Sequence, residues 1–133
     1  MDFHTRNKLL LMAHSPKHLK QMGYLVAHAR ELSPKELVSQ YEKLLTEAMS
    51  LKPSTAKHSN VLQHVMGYFK KTLSADEKQE LREVIDEYRG GLIPLIVPVT
   101  LMNHYVRKYD VSYLKKQTYL NPGPLELQLR NHV

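Results

Sequence analysis

Three serines fix where this chain can turn helical, and those starts constrain the fold more than any other feature. Ser15 stands directly before Pro16, and Ser33 directly before Pro34. A serine hydroxyl accepts from an orphan N–H of the first helical turn. Proline suits the next position because the hydrogen it lacks would have no partner there. Ser33 is followed three residues later by Glu36, and Ser74 by Glu77, the spacing of a reciprocal capping box. Behind each start, apolar residues recur at three-to-four spacing. Leu19, Met22, Val26 and Ala29 follow the first, and Leu37, Tyr41, Leu44, Leu45 and Ala48 the second. Leu81, Val84, Ile85 and Tyr88 follow the third, and Gly90-Gly91 supplies its stop.

Pro53 and Ser54 break the chain between these helices. A further long helix is expected after them, with Val61, Leu62, Val65, Phe69 and, at its margin, Tyr68 toward the core. A short helix around residues 5–13 precedes the first serine, and another falls near 112–119. The stretch from Leu92 to Val99 is rich in β-branched residues and reads locally as a buried strand. No second strand is available to pair with it, and a lone strand would leave its amides and carbonyls unsatisfied. We therefore expect a buried helix entered at Pro94 or Pro98 and running through Leu101, Met102 and Tyr105. Asn121-Pro122-Gly123-Pro124 cannot be helical, so the last dozen residues are expected to lie extended. The sum is an all-α protein, a single compact domain of six or seven helices over residues 1–133 with an extended C-terminal tail.

The net charge is +6 and the pI is near 9.5. Its distribution says more than its total. Lys and Arg exceed acids by four in residues 1–30, by four in 52–71 and by three in 90–120. Acids exceed bases by two in residues 31–51 and by three in 72–89. If the basic segments pack side by side, they present one positive face suited to a polyanion.

Several chemistries are excluded. The absence of cysteine removes disulfides, thiolate metal sites, iron–sulfur ligation and a cysteine nucleophile, and fits a reducing cytoplasm. No run approaches the ~18 apolar residues of a membrane span. The first residues lack the order of a secretory signal. There is no phosphate-binding loop, no dinucleotide fingerprint and no nucleophile elbow. The acids from Asp76 to Glu87 read as a solvated flank partnered by Lys78, Arg82 and Arg89. His14 and His18 have the i, i+4 spacing of helical metal ligands, but no Glu lies between them and no third ligand is in view. No metal, cofactor or catalytic residue is expected.

Two polar stripes remain. Asn60, His64, Gly67 and Lys71 fall at i, i+4, i+7 and i+11, with Lys57 one turn earlier. Gly67 costs a helix interior about 1 kcal/mol relative to Ala, so it suits close approach by a neighbouring helix or by a ligand. His14, Lys17, Gln21, Tyr24 and His28 form the second stripe. Lys and Arg suit phosphates, while Tyr and His can stack on unpaired bases. The alternative for both stripes is a plain solvated flank.

A resemblance sharpens this. His4-Thr5-Arg6-Asn7-Lys8, Met12-Ala13-His14-Ser15-Pro16, Asn60-Val61-Leu62-Gln63-His64 and Gly67-Tyr68-Phe69-Lys70-Lys71 occur in that order. Ile93-Pro94-Leu95-Ile96-Val97-Pro98, Gln117-Thr118-Tyr119-Leu120 and Leu129-Arg130-Asn131 follow them. Together they resemble the YbgA family of bacterial proteins, over essentially the whole chain. Members occur alone or as the C-terminal half of fusions whose N-terminal half resembles an iron–sulfur thiouracil desulfidase. The resemblance implies a role in removing sulfur from 4-thiouridine in tRNA, with this half supplying tRNA binding. This chain carries none of the cysteines that the desulfidase half would need, so the binding role is the one implied.

The expected function is thus binding of RNA, tRNA by the resemblance, in the cytoplasm, beside a separate or fused iron–sulfur desulfidase. Arg6, Lys8, Lys17, Lys57, Lys70 and Lys71 are the expected phosphate contacts, and Arg107, Lys115 and Lys116 secondary ones. His14, Tyr24, Asn60 and His64 are the expected shape or base contacts. One rival is a small enzyme with a pocket of His14, Asn60 and His64. Another is a module that docks an acidic or iron–sulfur protein.

Overall fold

Each serine named above caps a helix. Ser15 Oγ accepts from the His18 amide at 3.1 Å, Ser33 Oγ from Glu36 at 3.2 Å and Ser74 Oγ from Glu77 at 3.1 Å. The reciprocal half of the capping box forms at Ser74, whose amide donates to Glu77 Oε1 at 2.9 Å. Ser54, read from sequence only as a breaker, also caps, accepting from the Lys57 amide at 3.2 Å. The computed structural model describes residues 2–122. Among these the helices are α1 (Asp2–Arg6), α2 (Lys8–His14), α3 (Pro16–Ala27), α4 (Pro34–Ser50), α5 (Thr55–Gly67), α6 (Ala75–Arg89), α7 (Ile96–Lys108) and α8 (Ser112–Lys115). Single 3-10 turns occupy Ala29–Glu31 and Thr118–Leu120, and no strand occurs among the described residues. The expected tail lies largely outside them.

The core has two parts, with α2 wedged between. Leu9 and Ala13 of α2 join Val61, Leu62, Val65 and Phe69, with Leu81, Ile85, Met102, Leu114 and Tyr119 packed around them. Leu11, two residues from each, points the other way and packs with Met22, Leu25, Tyr41 and Ala48 of α3 and α4. Full burial of one such leucine stabilises the fold by roughly 1.5–3 kcal/mol. A short helix with apolar residues on both sides is the expected design for an element buried on two faces.

The helix ends follow local chemistry. At the end of α6, Leu92 N–H donates to Glu87 O at 2.9 Å and Gly91 N–H to Tyr88 O at 3.0 Å. This Schellman pattern needs a left-handed residue, and Gly91 supplies it at φ 79°. Asp110 plays the same part after α7 at φ 52°, with Val111 N–H donating to Val106 O at 3.1 Å. Helix α7 starts between the two prolines offered as alternatives. Val97 N–H donates to Pro94 O, and Pro98 sits in the first turn, where its missing hydrogen costs nothing.

Four expectations need correction. There are eight α-helices among the described residues, not six or seven, chiefly because the short helix expected at 5–13 is two. Asn7 separates α1 from α2, and its side chain donates to Phe3 O at 2.8 Å. The buried Gln117 closes this break from far away in sequence. It accepts from Leu9 N–H at 3.2 Å and donates to Thr5 O at 2.8 Å. Second, Ser15 is extended at φ −161°, so His14 ends α2 and does not share a helix with Lys17 or His18. Third, α5 stops at Gly67, so Lys71 leaves the Asn60–His64 stripe. Fourth, Tyr68 lies just past that end and is 41% exposed; the core aromatic is its neighbour Phe69.

Candidate nucleic-acid interface

The break at Asn7 has a consequence for the surface. Two hollows adjoin it, lined in part by residues of α1, α5 and α8. The larger, about 310 Å³, is lined by His4, Lys8, Gly23, His64, Tyr68 and Tyr113, among others. The smaller, about 250 Å³, is lined by Arg6, Tyr113, Lys116 and Gln117 with the ends of α1 and α8. Tyr113 belongs to both. A shallower depression beside Gln63, His64, Gly67 and Tyr68 extends the first. All three basic segments contribute side chains to this trough, but its Lys and Arg, namely Arg6, Lys8 and Lys116, come only from the first and third.

Its wall is aromatic. Tyr68 stacks on Tyr113 with centroids 5.1 Å apart and rings inclined by 23°, and His64 meets the edge of Tyr68 at 5.9 Å. Burial, then the neighbouring Tyr68, pushes the Tyr113 hydroxyl up to about 12, so it stays protonated. No neighbour stands within 4 Å of where a Gly67 Cβ would be. Of the two roles weighed for that glycine, a close helix neighbour is thereby ruled out within the described residues.

The cations of the trough are available. Lys8 and Lys116 have no ion-pair or hydrogen-bond partner among the described residues. Arg6 pairs with Asp2 at 2.9 Å, but both side chains are more than half exposed, so the pair contributes little. At the floor, His4 is only 4% exposed, and its Nδ1 meets the Tyr41 hydroxyl at 3.0 Å. Burial first, then the charge of Lys8, lowers the His4 pKa below the usual imidazole value, so the ring is neutral at pH 7.

The other expected residues lie elsewhere. His14 and Lys57 come together, but as fasteners. His14 Nδ1 donates to Leu51 O at 2.8 Å, while Lys57 Nζ donates to His14 O at 2.9 Å and Lys52 O at 3.2 Å. They join the α2–α3 corner to the loop before α5. His18 bridges Ser15 Oγ at 2.7 Å and Glu47 at 3.2 Å. No group of three or more metal-ligating side chains gathers among the described residues. Tyr24 is 68% exposed and stacks on His28, with centroids 3.9 Å apart. Lys17, Asn60, Lys70 and Lys71 are exposed and line neither hollow. Lys115 is held by Asp110, and Arg107 is exposed. The structure thus brings together Arg6, Lys8 and His64 of the ten residues expected.

Sequence reasoning missed His4, Gly23, Tyr68 and Tyr113 as members of the site. His4 stood out in the sequence only as part of the basic N-terminal run; its burial against Tyr41, 37 residues on, had no local signal. None existed for the Tyr68–Tyr113 pair, which are 45 residues apart.

The profile described as "Protein of unknown function (DUF1722)" matches residues 8–124. The chain belongs to this family. It is 33% identical over 132 residues to "Uncharacterized protein YbgA" of Escherichia coli (strain K12), covering 98% of this chain and 78% of that protein. No solved structure matches it. For this DUF1722 member, the profile match spans every residue of the trough except those of α1. No helix among the described residues is long and apolar enough to cross a membrane.

Proposed function

We propose that this domain binds structured RNA through the trough, with tRNA as the target class and thionucleoside metabolism as the setting. One observation carries the reading. A stacked tyrosine pair, Tyr68 on Tyr113, shares the lining of the hollows with the unpartnered cations Lys8 and Lys116, with His64 at its edge. Cations neutralise phosphates, and aromatic faces stack on unpaired bases; RNA with splayed loops offers both at once. The choice of tRNA and of 4-thiouridine rests on the resemblance to the YbgA family. A cysteine-free chain acts there as the binding partner of an iron–sulfur desulfidase rather than as the desulfidase.

The test is a binding titration at several salt concentrations against tRNA and against a DNA duplex of equal charge. The domain should prefer tRNA. The three cations of the trough, Arg6, Lys8 and Lys116, neutralise about three phosphates and give a log–log salt slope of roughly −2 to −3. Absence of tRNA binding at low salt would remove the proposal and leave docking to a protein partner as the better account.

A further inference from the structure

His4 is held in a way that core packing alone does not require. It is 4% exposed, yet it lines the larger hollow, beside Gly23 of α3. A Cβ on Gly23 would stand 3.8 Å from His4 Nε2, with no other atom within 4 Å. The glycine therefore leaves open the approach to that nitrogen. His4 Nε2 has no hydrogen-bond partner among the described residues, whereas Nδ1 has one, the Tyr41 hydroxyl.

The tautomer follows from the same pair. Tyr41 is 4% exposed, and His4 is the one hydrogen-bond partner of its hydroxyl among the described residues. A buried hydroxyl proton left without an acceptor costs more than a lone pair left without a donor. Tyr41 O–H therefore donates to Nδ1, and the ring proton sits on Nε2, directed into the hollow. A neutral N–H donor at the floor, an aromatic wall at the side and a free ammonium, Lys8, at the rim define the ligand. It needs a carbonyl-type acceptor, a flat aromatic face and an anion. A volume of about 310 Å³ lies at the small end for ligand sites and suits one nucleotide rather than a duplex.

We infer that this hollow is a single-nucleotide subsite: one unpaired base gives a carbonyl oxygen to His4 Nε2–H and packs along Tyr68–Tyr113, with its phosphate at Lys8. The inference rests on the RNA-binding reading and specifies how one base is received. The same chemistry is offered by a free nucleotide and by an unpaired residue of an RNA, and the experiment separates them.

The full chain is titrated with uridine 5′-monophosphate, adenosine 5′-monophosphate, a six-residue oligouridylate and tRNA, each followed by amide chemical shifts. Uridine monophosphate should perturb residues around His4, Gly23 and His64. The adenine nucleotide has no carbonyl and can offer His4 Nε2–H only a ring nitrogen, set within the purine rather than projecting from it, so it should bind about tenfold more weakly. Gly23→Ala is the decisive variant. Its methyl meets Nε2 at ordinary contact distance, so the fold accommodates it. Alanine also favours the helix, so Tm should rise by about 3–5 °C. Loss of uridine monophosphate binding by about tenfold in this more stable protein cannot come from unfolding. Equal binding of both nucleotides, or binding unchanged in Gly23→Ala, overturns the subsite. If tRNA still binds in that case, the broader RNA reading stands without it. If the mononucleotide binds in the hollow but oligouridylate and tRNA do not, the source is a free nucleotide and the RNA reading falls.

Discussion

The seam between α6 and α7 and the trough across α1, α5 and α8 use similar residue types for opposite ends. Both set tyrosines beside charged side chains. In the seam the charges of Glu77, Glu80 and Lys108 are occupied. Glu77 accepts from its own N-cap amide, from Tyr109 and from Lys108 at 3.1 Å, and Glu80 accepts from Tyr105 at 2.7 Å. In the trough, Lys8 and Lys116 stand beside stacked tyrosines with no partner among the described residues. Occupied charge ties helices to one another; unoccupied charge next to exposed aromatic faces is left for a ligand. The comparison also separates two residues of the trough itself. Gln117 lines it but has both ends of its amide committed, so it belongs with the seam in function.

That distinction yields the largest expected effect. Gln117→Leu takes the side-chain acceptor from the amide of the buried Leu9, and should cost up to about 3 kcal/mol in denaturant unfolding. A loss below about 1 kcal/mol would mean that water replaces the amide, and that Gln117 is as available to ligands as Lys8. Next comes charge reversal in the trough. Lys8→Glu with Lys116→Glu should weaken tRNA binding roughly a hundredfold at low salt and flatten the salt slope by about two. Tm should hardly change, because neither ammonium supports the fold. A large drop in Tm with the affinity loss would erase the contrast between the two regions.

The seam should behave in the reverse way. Ser74→Ala removes the N-cap hydroxyl and should cost about 1 kcal/mol of stability while tRNA affinity stays the same. Weaker RNA binding in this variant would place the α6 start in the interface. The smallest effect is a pH dependence. The Tyr109 hydroxyl first, then the Ser74 amide, hold the Glu77 carboxyl down at about 2, against 4.5 ordinarily. A folded-state pKa below the unfolded one gives stability that is complete above about 4.5 and lost as pH falls toward about 2. The stability gap between the parent and Glu77→Gln should therefore close over that window. A gap of constant size from neutral pH down to about 3 would show that the carboxylate charge is not what the seam uses.

How far the sequence could be read differs by region in the same way. The helix starts at Ser15, Ser33 and Ser74 and the stop at Gly90-Gly91 were legible because caps are made by residues within a few positions of one another. The buried residues Leu81, Ile85 and Tyr88 were legible because helical periodicity places them on one face. The two basic stripes were read less well. The Ser15 cap splits the His14–His28 stripe by turning the chain at that point, and the Asn60–Lys71 stripe ends where α5 gives way to a turn at Tyr68. Lys57 read as a phosphate contact from its charge, but its ammonium caps carbonyls across the α2–α3 corner.

The sequence by itself determined an all-α chain, its main helix boundaries, its alternating charge and its membership of the DUF1722 family. Each of these depends on interactions between near neighbours or on composition. The tertiary structure decided the break at Asn7, the burial of His4 against Tyr41 and the stacking of Tyr68 on Tyr113. The break is closed by Gln117 reaching back 112 residues to Thr5, and His4 meets Tyr41 across 37. Such contacts form only when the two cores pack on either side of α2, and no local pattern in the chain encodes which distant side chains that packing brings together.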